Sequence, residues 1–147
     1  MVNNSEDLLK LDSTTAFSFA CDIKTGSDKN HCFIFFTSKK LLESINSRKD
    51  GAVTIFHLDC TYKINNNRFP IISFGHSDMD GQFHLVCLAI TSHETEQDFR
   101  KLYQALIYIC ILCEIKFQPS FIMQDGCIAS YNARETISYQ SQCATFM

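Results

Sequence analysis

Proline is scarce in this chain, with two in 147 residues, while phenylalanine occurs 13 times and hydrophobic residues make up 46%. That balance excludes a disordered or fibrous polymer and favours a globular fold with a sizeable core. A basic excess is also missing, since 13 Lys and Arg stand against 16 Asp and Glu for a net charge of −3. A free-standing DNA-binding domain would carry such an excess, so contact with nucleic acid would need a local patch, a metal ion or segments outside this chain. No apolar run approaches the roughly 18 residues that cross a bilayer, and the opening MVNNSEDLLKLDSTT lacks an apolar signal core. The chain is therefore expected to be intracellular, in nucleus or cytoplasm, not secreted and without a membrane partner.

Eight cysteines are present. Without a secretion signal they read as reduced thiols that pack as small core residues. The Cys110 and Cys113 pair has CxxC spacing inside LIYICILC, with no second CxxC or histidine pair nearby. Core packing is the better reading there than a zinc knuckle.

Turn residues and apolar periodicity divide the chain. Residues 16–23 and 31–37 are β-prone and flank TGSDKN, which suits a hairpin turn. Residues 38–47 place Leu41, Leu42 and Ile45 at helical spacing behind a capping Ser38, and SRKDG closes that helix. Three strands then follow as a meander, over residues 52–62, 69–77 and 82–91, joined by Asn65 to Asn67 and by Asp80-Gly81. Thr95 and Asp98 form a T-x-x-D cap for a helix whose stripe is Phe99, Leu102, Tyr103, Leu106, Ile107 and Cys110. Pro119 precedes a short strand over 121–124, and residues 128–139 form a last helix. After residue 50 the order is β-β-β-α-β-α, an α/β mixed sheet in which a helical crossover sets the fourth strand parallel to an earlier one. The chain divides into an amino-terminal leader, residues 1–50, and a sheet domain, residues 51–147.

Two acids end apolar strand-like runs, Asp59 in VTIFHLDCTY and Asp125 in PSFIMQDGC, 66 residues later. A carboxylate at the tip of a buried strand is costly to desolvate without a cation or donor, so the pair suggests a divalent-metal site. The plainer alternative is that each caps the turn or helix that follows it. His57 lies one pleat from Asp59 and could touch substrate or metal, although a hydrogen-bonded structural histidine is commoner. Thr61 is expected to support Asp59, and Tyr62 to pack in the core. Lys39, Lys40, Arg48 and Lys49 could meet phosphates, or form a solvated helix face.

The string LDCTYKINNNRFPIISFGHSDMDGQFHLVCLAITSHETEQDF, followed after the long helix by QPSFIMQDGCIASYNA, resembles the transposase domain of Mutator-like elements. That family consists of DDE transposases with a ribonuclease H-like fold. The likeness rests on an aspartate followed by x-T-Y, a strand reaching a G-x-D-like element, a strand ending near S-x-E-T, and an aspartate before the last helix. It covers residues 53–133, and FIFFTSKKLLESI resembles the leader of that family. The resemblance implies a ribonuclease H-like sheet, incomplete at its carboxy end, that acts on DNA at transposon ends in DNA transposition. Asp59 then matches the first catalytic acid and Asp125 the second, together holding two Mg²⁺ or Mn²⁺ ions for phosphodiester cleavage and transfer. The family's third acid, a glutamate beyond a cysteine- and histidine-bearing segment, has no match before the chain stops at QSQCATFM. Glu135 sits ten residues past Asp125, about 15 Å along a helix, and reads as surface. Glu94 and Glu96, at the start of the long helix, are auxiliary candidates, or simply favourable charge at a helix amino terminus. With two acids only, the chain is expected to bind metal weakly and to be inactive alone. The alternative is a domesticated, non-enzymatic interaction module, whose truncated surface invites self-association.

Overall fold

The computed structural model describes residue 2 and residues 4–46 and 55–137. Among them are four helices and one mixed six-stranded sheet. The first helix, α1 (Ser5–Leu9), starts where the Asn4 side chain accepts from the Asp7 N–H (2.9 Å), and it buries Leu8. The sequence reading did not foresee it, because five residues are too few to display a period.

Strands β1 (Phe17–Asp22) and β2 (Phe33–Thr37) form the expected antiparallel hairpin. Phe17, Phe19, Phe33 and Phe35 alternate into the core. A bulge interrupts the ladder between Phe19 and Asp22, where Ala20 takes a left-handed φ of 51°. In the connecting turn Gly26 has φ +78°, and a Cβ there would lie 2.6 Å from the Phe69 ring. Helix α2 (Lys39–Glu43) is capped by Ser38 Oγ, which accepts from the Leu41 N–H. It tightens into a 3₁₀ turn over Ser44–Asn46 and buries Leu42 and Ile45. The SRKDG segment expected to close it lies outside the described residues.

The meander is β3 (Ile55–Thr61), β4 (Ile71–Ser77) and β5 (Phe83–Thr91), all antiparallel in turn. Between β3 and β4 the left-handed residues are Lys63 and Arg68, not the asparagines. Asn65 acts instead through its side chain, which donates to Phe69 O (2.7 Å) and accepts from Phe69 N–H (2.9 Å), so its amide closes the loop. The second turn follows expectation, with Gly81 at φ +77° and Asp78 accepting from the N–H groups of Asp80 and Gln82.

Helix α3 (Glu96–Leu112) opens on the expected cap, the Asp98 carboxylate accepting from Thr95 N–H (3.0 Å) and Thr95 hydroxyl (2.7 Å). Its buried stripe of Phe99, Leu102, Tyr103, Leu106 and Cys110 packs on the sheet side that carries Phe35, Phe56, Ile72 and Phe74. Each such side chain contributes about 1.5–3 kcal/mol through burial, so this one face supplies most of the driving force available. Ile107 is only partly buried.

After Pro119 the chain enters β6 (Phe121–Gln124), which pairs parallel with β3. Helix α4 (Ile128–Ala133) then packs against α3. Helical turns continue over residues 135–137, and the expected end of that helix, Ser138 and Tyr139, lies outside the described residues. The strand order is β1-β2-β5-β4-β3-β6, so the hairpin extends the meander past β5 while β6 forms the opposite edge. No helix among the described residues is long and apolar enough to cross a membrane.

Candidate functional site

The site is built from the β3–β6 ladder. Ile55 stands opposite Phe121, and each following pair through Leu58 and Gln124 keeps the same offset of 66 residues. Asp59 and Asp125 differ by that same number. The ladder ends at Leu58 and Gln124, so each acid follows the last pair by one residue, on neighbouring strands of the kind spaced about 4.8 Å apart. Asp125 stands one residue beyond β6, where its carbonyl accepts from the Cys127 N–H at the start of α4.

Pleating sets the direction of Asp59. Phe56 and Leu58 are buried beneath α3, so Ile55, His57, Asp59 and Thr61 belong to the opposite face of the sheet. Both Asp59 and Asp125 are exposed to solvent. The desolvation cost inferred from the apolar runs therefore does not operate, and strand register is what relates the two acids.

The other candidates sort into separate groups. His57 Nε2 lies 2.7 Å from Ser77 Oγ, and its ring meets Phe83 edge-on at 6.1 Å. Glu94 accepts a hydrogen bond from the Tyr62 hydroxyl (2.5 Å). That bond raises the phenol pKa, while burial and then Glu94 raise the Cys60 thiol far above its ordinary value. Cys60 and Tyr62 alternate with Asp59 along the chain, so Glu94 is gathered with residues of the other pleat. Tyr62 is 55% exposed, a correction to its expected place in the core: its hydroxyl finds a partner at the sheet end instead. Glu96 is held by Arg100 Nη2 (2.7 Å) and Asn132 Nδ2 (3.3 Å), and Arg100 is the main reason its carboxyl sits below the ordinary range.

The turn carrying Glu94 is fixed from the hairpin side. His31 Nδ1 lies 2.8 Å from Asp98 Oδ1, and its ring stacks on His93 at 4.1 Å. The T-x-x-D pattern revealed Asp98 as a cap, but nothing local could disclose a partner 67 residues earlier. Of the cationic group, Lys39 donates to Leu11 O (2.6 Å), while Arg48 and Lys49 lie outside the described residues. Cys110 is buried, which pushes its thiol up to about 12, in keeping with a core role. Among the described residues no three His, Cys, Asp or Glu side chains are grouped to hold a metal ion.

A family model, the MULE transposase domain, matches residues 55–144, from the first residue of β3 onward. The chain belongs to the MULE transposase domain family. No curated protein and no solved structure matches it. The matched span contains Asp59, Asp125, His57, Glu94 and Glu96, while the β1–β2 hairpin and α2 precede it. Membership in the MULE family makes the function transposase-derived and points to DNA as the class of partner.

Proposed function

We propose that Asp59 and Asp125 are two acids of a metal-dependent phosphodiester site, of the DDE type, on a ribonuclease H-like sheet. The observation that supports this reading is the shared 66-residue offset, by which each acid follows the last paired residues of the β3–β6 ladder. Two exposed carboxylates suit Mg²⁺ or Mn²⁺, because such ions prefer anionic oxygens and keep several waters. When bound, the ions supply Lewis acidity to a phosphodiester and lower the pKa of water. The protein's own part is to hold one oxygen donor on β3 and the other in the turn that follows β6, and to leave both open to a DNA backbone. The ancestral activity is DNA strand cleavage and transfer in transposition. Two carboxylates by themselves leave most of the coordination to water, so these two residues would hold the ions weakly.

A second reading, a non-enzymatic domesticated module, draws support from the way the auxiliary acids are employed. Glu94 is engaged by Tyr62, and Glu96 by Arg100 and Asn132. Mn²⁺ titration followed by NMR tests the metal site. Paramagnetic broadening should centre on residues 59 and 125 at millimolar metal, and Asp59→Asn should abolish it. Identical broadening in both proteins would remove the metal claim.

A further inference from the structure

The face that bears Asp59 also presents an aromatic ring with an unusual seat. Phe83 stands opposite Ser77 in the β4–β5 ladder, and Gly75 is two residues back along β4. A Cβ on Gly75 would lie 2.4 Å from Phe83 Cζ and 2.7 Å from its Cε2, so the ring rests on the bare glycine backbone. From β3, opposite Gly75, the His57 ring meets Phe83 edge-on, and Ser77 Oγ holds that imidazole at 2.7 Å. The ring is thus fixed on one side while 51% of the residue stays open to solvent. Exposing a large apolar ring in so determined a position leaves a flat surface for a stacking partner.

We propose that Phe83 is a stacking platform for an unpaired base of a DNA strand whose backbone passes Asp59 and Asp125. The assignment rests on reading those acids as a phosphodiester site. Three details favour a nucleic acid. His57, whose ring meets Phe83 at 6.1 Å, precedes Asp59 by two residues on the same pleat, about 7 Å along the strand, so platform and acid share one face. Lys63 and Arg68, both exposed, lie in the loop that leaves β3 just past Asp59 and offer positive charge to phosphates. Stacking on an aromatic is sequence-tolerant, as a strand-transfer domain requires, because every base has a π-face.

The test uses the full chain, a short end-labelled oligothymidylate, low salt and EDTA, so that no metal takes part. Fluorescence anisotropy should show Phe83→Leu binding at least about five-fold more weakly than wild type, and Phe83→Tyr close to wild type, as loss of one stacked base predicts. Thymine protons should move upfield on binding wild type and not on binding Phe83→Leu. Absent binding by wild type, equal binding by Phe83→Leu, or a wild-type dimer in sedimentation that this substitution dissolves would overturn the proposal, the last by making the face a self-interface. Mn²⁺ broadening around residues 59 and 125, read on Phe83→Leu protein in a separate EDTA-free buffer, should persist. Its absence in a wild type that still binds the oligonucleotide through Phe83 would sink the metal reading alone.

Discussion

Replacing Asp98 by alanine should destabilise the protein by about 3 kcal/mol, combining roughly 1 for the lost helix cap with 1.5–3 for a charged hydrogen bond. The carboxylate is fully buried, and it accepts from Thr95 N–H, Thr95 hydroxyl and His31 Nδ1 within 3.0, 2.7 and 2.8 Å. Its deletion leaves the His31 ring, only 15% exposed, without its closest partner. Asp98→Asn keeps an acceptor for the cap and should lose about half as much. Urea unfolding followed by far-UV circular dichroism suits a chain with no tryptophan. Combining Asp98→Ala with His31→Ala isolates the pair, and the coupling should be about 1.5 kcal/mol or more. A single-mutant loss below about 1 kcal/mol, or additivity within about 0.3 kcal/mol, would refute the idea that the hairpin is fastened to α3 through this contact.

Two further outcomes concern the sheet end and the core. Glu94→Gln should return the Tyr62 phenol toward its ordinary value, read as an earlier phenolate absorbance change that Tyr62→Phe removes; an unchanged titration would deny the Tyr62–Glu94 bond. The sign follows: a raised folded pKa contributes stability that is intact below the unfolded value and disappears as pH climbs, so wild type should weaken above about pH 10. Leu106→Ala should cost about 2–5 kcal/mol in the same urea assay, since Leu106 is wholly buried where α3 meets the sheet. A cost under about 1 kcal/mol would mean that α3 is not packed as described.

Much of the fold was legible because its signals are local or periodic. The α3 stripe, the Asp80-Gly81 turn and the Ser38 cap each lie within a few residues of what they determine. The crossover that sets β6 parallel to β3 was legible too, as a rule of topology. What escaped the sequence depends on distant partners. Nothing near His31 names Asp98, and nothing in FIFFT tells that β2 will pair with β5. The exposure of Asp59 was misjudged because apolar neighbours in a strand report on alternate faces, and the face carrying Asp59 is not the one α3 covers; Tyr62 and Asp125 were misjudged because each lies just past the end of its strand. At the site, the 66-residue spacing was visible, but its meaning required the ladder.

The hairpin's attachment bears on where the family boundary can be cut. The matched span begins at Ile55, yet β2 covers the flank of β5 from Phe33 opposite Thr91 to Phe36 opposite Leu88. A polypeptide started at Ile55 would bare that flank's amides and carbonyls, strip Asp98 of its imidazole, and deprive α3 of its contact with β2. Whoever excises the matched span alone should therefore expect inclusion bodies, and should begin upstream of Phe17.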